Sequence, residues 1–204
     1  MNVNVISATP YPMSVISQVA GVCYGKTNID PKRVQRCFSA GHLSVFEHAS
    51  ATFLLEGPSR SCMAQLTRHR LASFCVESQR YCKYDLEGEW YVVPPAFEEP
   101  DFMGDFTLRS WYQTKMENDA KAYRSAIENG TRPEDARFLL PEAAKTRIAV
   151  TMNCRELFHV FDMRMDKAAQ WEVRDLVGKM HDEVRGRSPE WEQIIDMYDA
   201  AVER

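Results

Sequence analysis

Between Phe106 and Asn129 the apolar residues return every three or four positions: Leu108, Trp111, Tyr112, Met116, Ala120, Tyr123, Ala126 and Ile127. That period predicts one long amphipathic helix, ended by Gly130. Two other runs keep a period of two. Ser50 to Glu56 places Ala51, Phe53 and Leu55 on one face, and Lys145 to Met152 does the same with Thr146, Ile148, Val150 and Met152. Both read as strands. Asn2 to Val5 and Glu89 to Val93 are shorter strand candidates, the latter stopped by Pro94-Pro95.

Residues at the ends of these runs predict further helices. Asp30 caps a helix that opens on Pro31 and closes at Gly41. Gly57-Pro58 breaks the strand before it, and Ser59 then caps a helix with Cys62, Met63 and Leu66 inward. This helix is expected to run into Arg68-His69-Arg70, which makes its last turn cationic. A short helix is predicted over Pro133 to Phe138, one from Asn153 onward, one capped by Asp166 and reaching about Arg185, and a last one from Pro189. Asp85 to Asp105 carries many carboxylates with Gly88, Pro100 and Gly104, and reads as a solvated excursion.

Strands and helices do not alternate regularly, and neither a GxGxxG run nor a P-loop is present. The expected class is α+β: a small, mostly antiparallel sheet packed with long helices, forming a single domain over residues 1–204. The chain has 45% hydrophobic and 11% aromatic residues, enough for a sizeable core. A net charge of -4 gives no global attraction for nucleic acid or an anionic membrane, so any anion site must be local. No apolar stretch approaches the ~20 residues of a spanning helix. The first residues lack a basic segment followed by an apolar one, and a cytoplasmic protein with no membrane partner is expected. Six cysteines without CxxC spacing argue against a zinc site or a disulfide framework, and most are expected to be small buried residues.

Three groupings can carry chemistry. Arg68 to Arg80 packs three arginines, His69, Glu77 and two serines into one short stretch. It can be a cationic helix end with Glu77 paired to Arg80, or an anion site, because arginines flanking a histidine repel one another unless an anion lies among them. In an extended stretch Arg68 and Arg70 would share one side while His69 faces another ligand or the core. The second grouping is Arg137, Asn153, Arg155, His159 and Arg164. Arg155 and His159 share a helix face, with Glu156 and Asp162 available as solvated partners. The third is the turn His42-Leu43-Ser44-Val45-Phe46-Glu47-His48. Its histidines match no metal spacing, so no metal is expected, and both read as buried or half-buried imidazoles.

Taken in order, these groupings resemble the flavin-dependent thymidylate synthases. The family signature, Arg-His-Arg, seven residues, then Ser, stands here as Arg68-His69-Arg70 to Ser78. The turn from His42 to His48 is similar to the family's His-x-Ser/Thr-x-Phe-Glu-His, and Asn153-Cys154-Arg155 to its Asn-x-Arg. Arg164 to Glu172 is similar to its Arg-x-x-x-x-Ala-Gln-Trp-Glu. The resemblance covers His42 to Glu172.

The resemblance implies a methyltransferase that makes dTMP from dUMP. The one-carbon unit comes from methylenetetrahydrofolate and the reducing equivalents from NADPH through bound FAD, with no cysteine nucleophile. It implies a homotetramer with shared sites. By the same resemblance His42, Ser44, Arg68, His69, Arg70, Asn153, Arg155 and His159 are the flavin candidates. Gln65, Glu77, Ser78, Gln79, Arg80, Arg137 and Arg164 are the dUMP candidates, with Arg164 the catalytic group that activates the pyrimidine. Forked guanidinium groups suit these anionic ligands. The chain departs from the family at Val76, where many members have Glu or Gln, and at His159, where many have Asn. The rival readings are a nucleotide- or nucleic-acid-binding module using the same arginines, and a family member that holds flavin without synthesis.

Overall fold

The structure, a computed structural model, describes residues 1–84, 86–98 and 107–202. Its strands are β1 (Asn2–Ala8), β2 (Ser50–Ser59), β3 (Ser73–Val76) and β4 (Lys145–Asn153), in the sheet order β1-β2-β4-β3. Its helices are α1 (Pro12–Val22), α2 (Pro31–Ser39), α3 (Arg60–Leu66), α4 (Leu108–Glu128), α5 (Pro133–Ala136), α6 (Cys154–Arg164), α7 (Trp171–Arg185) and α8 (Pro189–Val202). The α+β class expected from the pattern is the class observed.

The chain forms two compact units. The first holds Met1–Glu56, Gln65–Cys75 and Ile148–Arg204; the second holds Gly57–Ala64 and Val76–Arg147.

In the first unit β1 runs antiparallel to β2, with Val3 opposite Leu55 and Val5 opposite Phe53. The predicted inner faces are correct: Ala51, Phe53 and Leu55 of β2 and Ile148, Val150 and Met152 of β4 are buried. Val173, Leu176, Val177, Met180 and Val184 form the buried stripe of α7, three and four residues apart. Phe38, Phe46 and Phe158 meet edge to face at 5.5–5.7 Å, and Phe158 stacks on Tyr198 at 5.3 Å. These rings tie α2 and the 3-10 turn Leu43–His48 to α6 and α8, so the motif turn rests on a rigid aromatic base.

The second unit has its own core: Leu86, Trp90, Tyr112, Met116, Ala120, Tyr123, Ala136 and Ala144. The inner face of α4 supplies Tyr112, Met116, Ala120 and Tyr123, as its period requires. Trp111, counted with that period, is instead 49% exposed. Thr107 caps α4 by accepting from the Ser110 N–H. The predicted start at Phe106, and the excursion at position 85 and at 99–105, lie outside the described residues.

Several expectations need correction. Helix α1 lies in a stretch for which the sequence pattern predicts no element; Pro12 sits in its first turn, where the missing N–H costs nothing. Gly57-Pro58 does not end β2. Gly57 takes φ +87°, which a glycine allows, and the strand runs on to Ser59. Glu89 to Val93 is no strand but a single bridge from Tyr91 to Ala144. The prolines after Val93 have no N–H to extend it. Asp166 does not cap α7. Its carboxylate closes a local turn onto the Ala168 N–H, and Gln170 caps the helix by accepting from the Glu172 and Val173 N–H groups. Of the cysteines only Cys62 and Cys154 are buried, while Cys23, Cys75 and Cys82 are exposed. Those three lie in turns, coil and an exposed position of β3, where no core reaches them. Among the described residues no helix is long and apolar enough to cross a membrane.

Candidate active site

Helix α3 is capped as expected, with Ser59 Oγ accepting from the Cys62 N–H at 2.9 Å. It ends at Leu66, however, so Arg68-His69-Arg70 lies beyond it in a turn and not in its last helical turn. The His69 N–H still reaches the Leu66 carbonyl at 3.2 Å. This turn separates the three side chains. His69 is 5% exposed, while Arg68 and Arg70 face solvent. Among the described residues neither arginine has an acidic partner.

The buried imidazole joins the signature to α6. His69 Nε2 accepts from Arg164 Nε at 2.9 Å, and Arg164 Nη2 donates to the Gln65 carbonyl at 3.2 Å. On the other side of the ring, Glu156 Oε1 lies 3.6 Å from Nδ1. The His159 ring is 5.6 Å from that of His69. Two edges of the Arg164 guanidinium are thus held, and Nη1 has no hydrogen-bond partner among the described residues. A guanidinium fixed on two sides with a donor to spare suits an anionic or carbonyl edge of a ligand.

Helix α6 begins where Asn153 Oδ1 accepts from the Glu156 N–H at 2.9 Å. Arg155 and His159 are both exposed on it, as their spacing predicted, and Arg155 pairs with Glu47 of the motif turn at 2.6 Å. His42, Ser44 and His48 are exposed in and beside that turn, so the expected burial of the two histidines fails. Phe46 is the fully buried side chain that anchors the turn, with Leu43 and Val45 half-buried beside it in sequence. Glu156, expected as a solvated partner, is 3% exposed. Its place four residues before the buried Val160 was the available signal of an inward side chain.

The remaining candidates lie in the second unit. A cavity of about 380 Å³ is lined by Arg60, Met63, Gln79, Arg137, Phe138 and Glu142, among others. Arg137 donates from Nε to the Glu134 carbonyl at 3.0 Å, and its guanidinium lies 5.9 Å from the Phe138 ring centre. Ser78 Oγ accepts from the Arg80 N–H at 3.2 Å. Arg80 pairs with Glu134 at 3.3 Å and not with Glu77. Glu77 is held by its backbone, donating to the Arg147 carbonyl at 2.9 Å.

Burial, then the charges of Arg164 and His159, bring the His69 imidazole down from its ordinary 6.5 to about 4. Burial pushes the Glu156 carboxyl up from 4.5. In the unfolded chain His69 takes a proton below 6.5 that the folded chain refuses until about 4. Its contribution is therefore intact above pH 6.5 and declines as pH falls toward 4, by up to roughly 3 kcal/mol. Glu156 acts in the opposite sense, losing stability as pH rises above 4.5. Comparison with His69→Gln isolates the histidine. Denaturant unfolding at successive pH values should show wild type losing stability relative to that variant as pH falls below 6.5. A constant difference would contradict the buried neutral imidazole.

The family model described as "Thymidylate synthase complementing protein" matches residues 4–190. The flavin-dependent thymidylate synthase of Geobacter sulfurreducens is 39% identical over 200 residues, covering 93% of this chain and 84% of that protein. The one from Pyrococcus furiosus is 37% identical over 200 residues, covering 92% and 80%. Among solved structures, a UMP/dUMP methylase from Streptomyces cacaoi bound with 5-Br dUMP superposes with a TM-score of 0.79 at 22% identity, over 98% of this chain and 94% of that one. Thymidylate synthase X from Helicobacter pylori with FAD and dUMP gives 0.74 at 24%, over 97% and 99%. At those identities the structural likeness speaks for the fold. The sequence match speaks for more, and on it the chain belongs to the flavin-dependent thymidylate synthase family.

Proposed function

We propose that this protein methylates dUMP to dTMP, with methylenetetrahydrofolate as one-carbon donor, NADPH as reductant and FAD as bound cofactor. The observation that carries the reading is the junction at His69, where the family signature meets Arg164 through one hydrogen bond. The match from residue 4 to 190 runs through both units, which supports reading residues 1–204 as one domain of the family.

The donor set fits an anionic dinucleotide. Arg68 and Arg70 are exposed and have no acidic partner among the described residues, so a phosphate would meet guanidinium groups that need not first leave an ion pair. Ser44, Asn153, Arg155, His159 and, more weakly, His42 add polar contacts in the same unit; the buried His69 ring lies 5.6 Å from that of His159. When bound, FAD supplies the passage of reducing equivalents from NADPH to the one-carbon unit.

Gln79 and Arg137 line a cavity of nucleotide size, and they bind dUMP with Ser78, Arg80 and Glu77. Gln65 serves through its backbone, holding Arg164. The Arg164 guanidinium stabilises negative charge on the pyrimidine carbonyl edge as C5 becomes nucleophilic. No cysteine attacks the ring. Burial raises the Cys154 thiol far above its ordinary range, which takes that one cysteine out of nucleophilic chemistry; for the other five the reading follows the family resemblance. The protein assembles as a homotetramer, so residues serving one substrate need not come from one chain.

The test follows the visible spectrum of the FAD-loaded protein without oxygen. NADPH should bleach it, and dUMP with methylenetetrahydrofolate should restore it with dTMP formed. A folded protein that binds flavin and dUMP yet forms no dTMP would leave binding without synthesis. One that takes no flavin would end the reading.

A further inference from the structure

Glu156 is a carboxylate buried to 3% exposure on α6, one residue after the exposed Arg155. A carboxyl in that setting is costly without a partner. It stands at the third position of the helix, where a glutamate often reaches back to the capping residue's N–H. Among the described residues it makes no such bond; the Asn153 cap uses only the Glu156 backbone. Its side chain lies 3.6 Å from His69 Nδ1, and the field of His159, on the same helix, also reaches it. The distance to Nδ1 exceeds a hydrogen bond, so the carboxyl acts through its field.

The other face of the imidazole fixes the proton. A guanidinium N–H only donates, so the 2.9 Å bond from Arg164 Nε requires a lone pair on His69 Nε2. The proton of the neutral ring then sits on Nδ1, toward Glu156. A negative or strongly dipolar group there favours this tautomer over the one that would turn an N–H against Arg164. The three side chains form a directed row, carboxyl to imidazole to guanidinium.

We propose that Glu156 is a positioning residue: it selects the His69 tautomer and so holds Arg164 with Nη1 turned to the pyrimidine of dUMP. The proposal rests on the reading of Arg164 given above. The carboxyl touches no substrate; its effect passes through His69.

A double-mutant cycle on dUMP affinity tests it, using the FAD-loaded full chain and calorimetric titration with dUMP. Glu156→Leu keeps the bulk and removes the charge. It should weaken dUMP binding about tenfold when Arg164 is present and leave it unchanged when Arg164 is already Ala. Glu156→Gln, which still turns an oxygen toward Nδ1, should keep most of the affinity. If the leucine variant does not fold, Glu156→Asp draws the carboxylate back by one methylene and enters the same cycle with the same expectation. Equal losses in both backgrounds, or no loss in either, would overturn the proposal. If Arg164→Ala alone leaves dUMP affinity untouched, the assigned role of Arg164 fails, and the proposal falls with it.

Discussion

Arg164→Ala should lower dTMP formation by at least about 10³-fold, the upper range for loss of a preorganised donor to a developing anion, while the folded protein keeps its flavin. Of the flavin candidates only the buried His69 has a hydrogen bond to Arg164; the exposed ones, Ser44, Arg68, Arg70, Arg155 and His159, keep their surroundings. What disappears is a guanidinium held at Nε by His69 and at Nη2 by the Gln65 carbonyl. Lysine is no substitute, because a point charge with one nitrogen cannot keep both anchors and still present a donor to the ligand. Arg164→Lys is therefore expected to stay far nearer to the alanine variant than to wild type. The measurements are flavin content by absorbance, single-turnover dTMP formation and rate of flavin reduction by NADPH. Loss of flavin from a folded Arg164→Ala protein would count against the role.

Trp191→Ala should destabilise the protein by about 3–5 kcal/mol, a large part of the ~5–15 kcal/mol that holds a typical domain. Trp191 heads the fully buried large side chains, at 1% exposure. Its indole N–H donates to the Thr9 carbonyl at 3.0 Å, and Thr9 in turn exchanges hydrogen bonds with Ser50 at the start of β2. One side chain thus secures α8 to the end of β1 and to the strand that follows the motif turn. Trp191→Phe keeps most of the apolar area and loses the hydrogen bond, so about 1–2 kcal/mol is expected. Denaturant unfolding of the two variants separates these contributions. A loss below about 1 kcal/mol for alanine would mean the site collapses to fill the space.

Elements with a complete pattern were legible. β2 and β4 show their inner faces as period-two runs, α4 as a helical period, and α2 and α3 through Asp30 and Ser59 as caps. Elements whose signals conflict were not. Helix α1 has no capping side chain at Tyr11 to announce it; only its first-turn proline favours a helix there. Asp166 is a favoured cap by residue type, yet its carboxylate bonds within its own turn and Gln170 caps α7 instead. Glu89 to Val93 had strand composition but no second partner.

The motifs, their order and the family were determined by the sequence, because they depend only on residue identity and spacing. Which side of each motif faces solvent and which packs inside was decided by tertiary structure. His69 lies between two exposed arginines in the chain, and only the turn after Leu66 takes it inside. Glu156 and Arg164 are eight residues apart on one helix, and nothing local says that one imidazole, from a segment almost a hundred residues away, stands between them. Hydrogen bonds of that range arise from packing, and packing is a property of the whole chain at once.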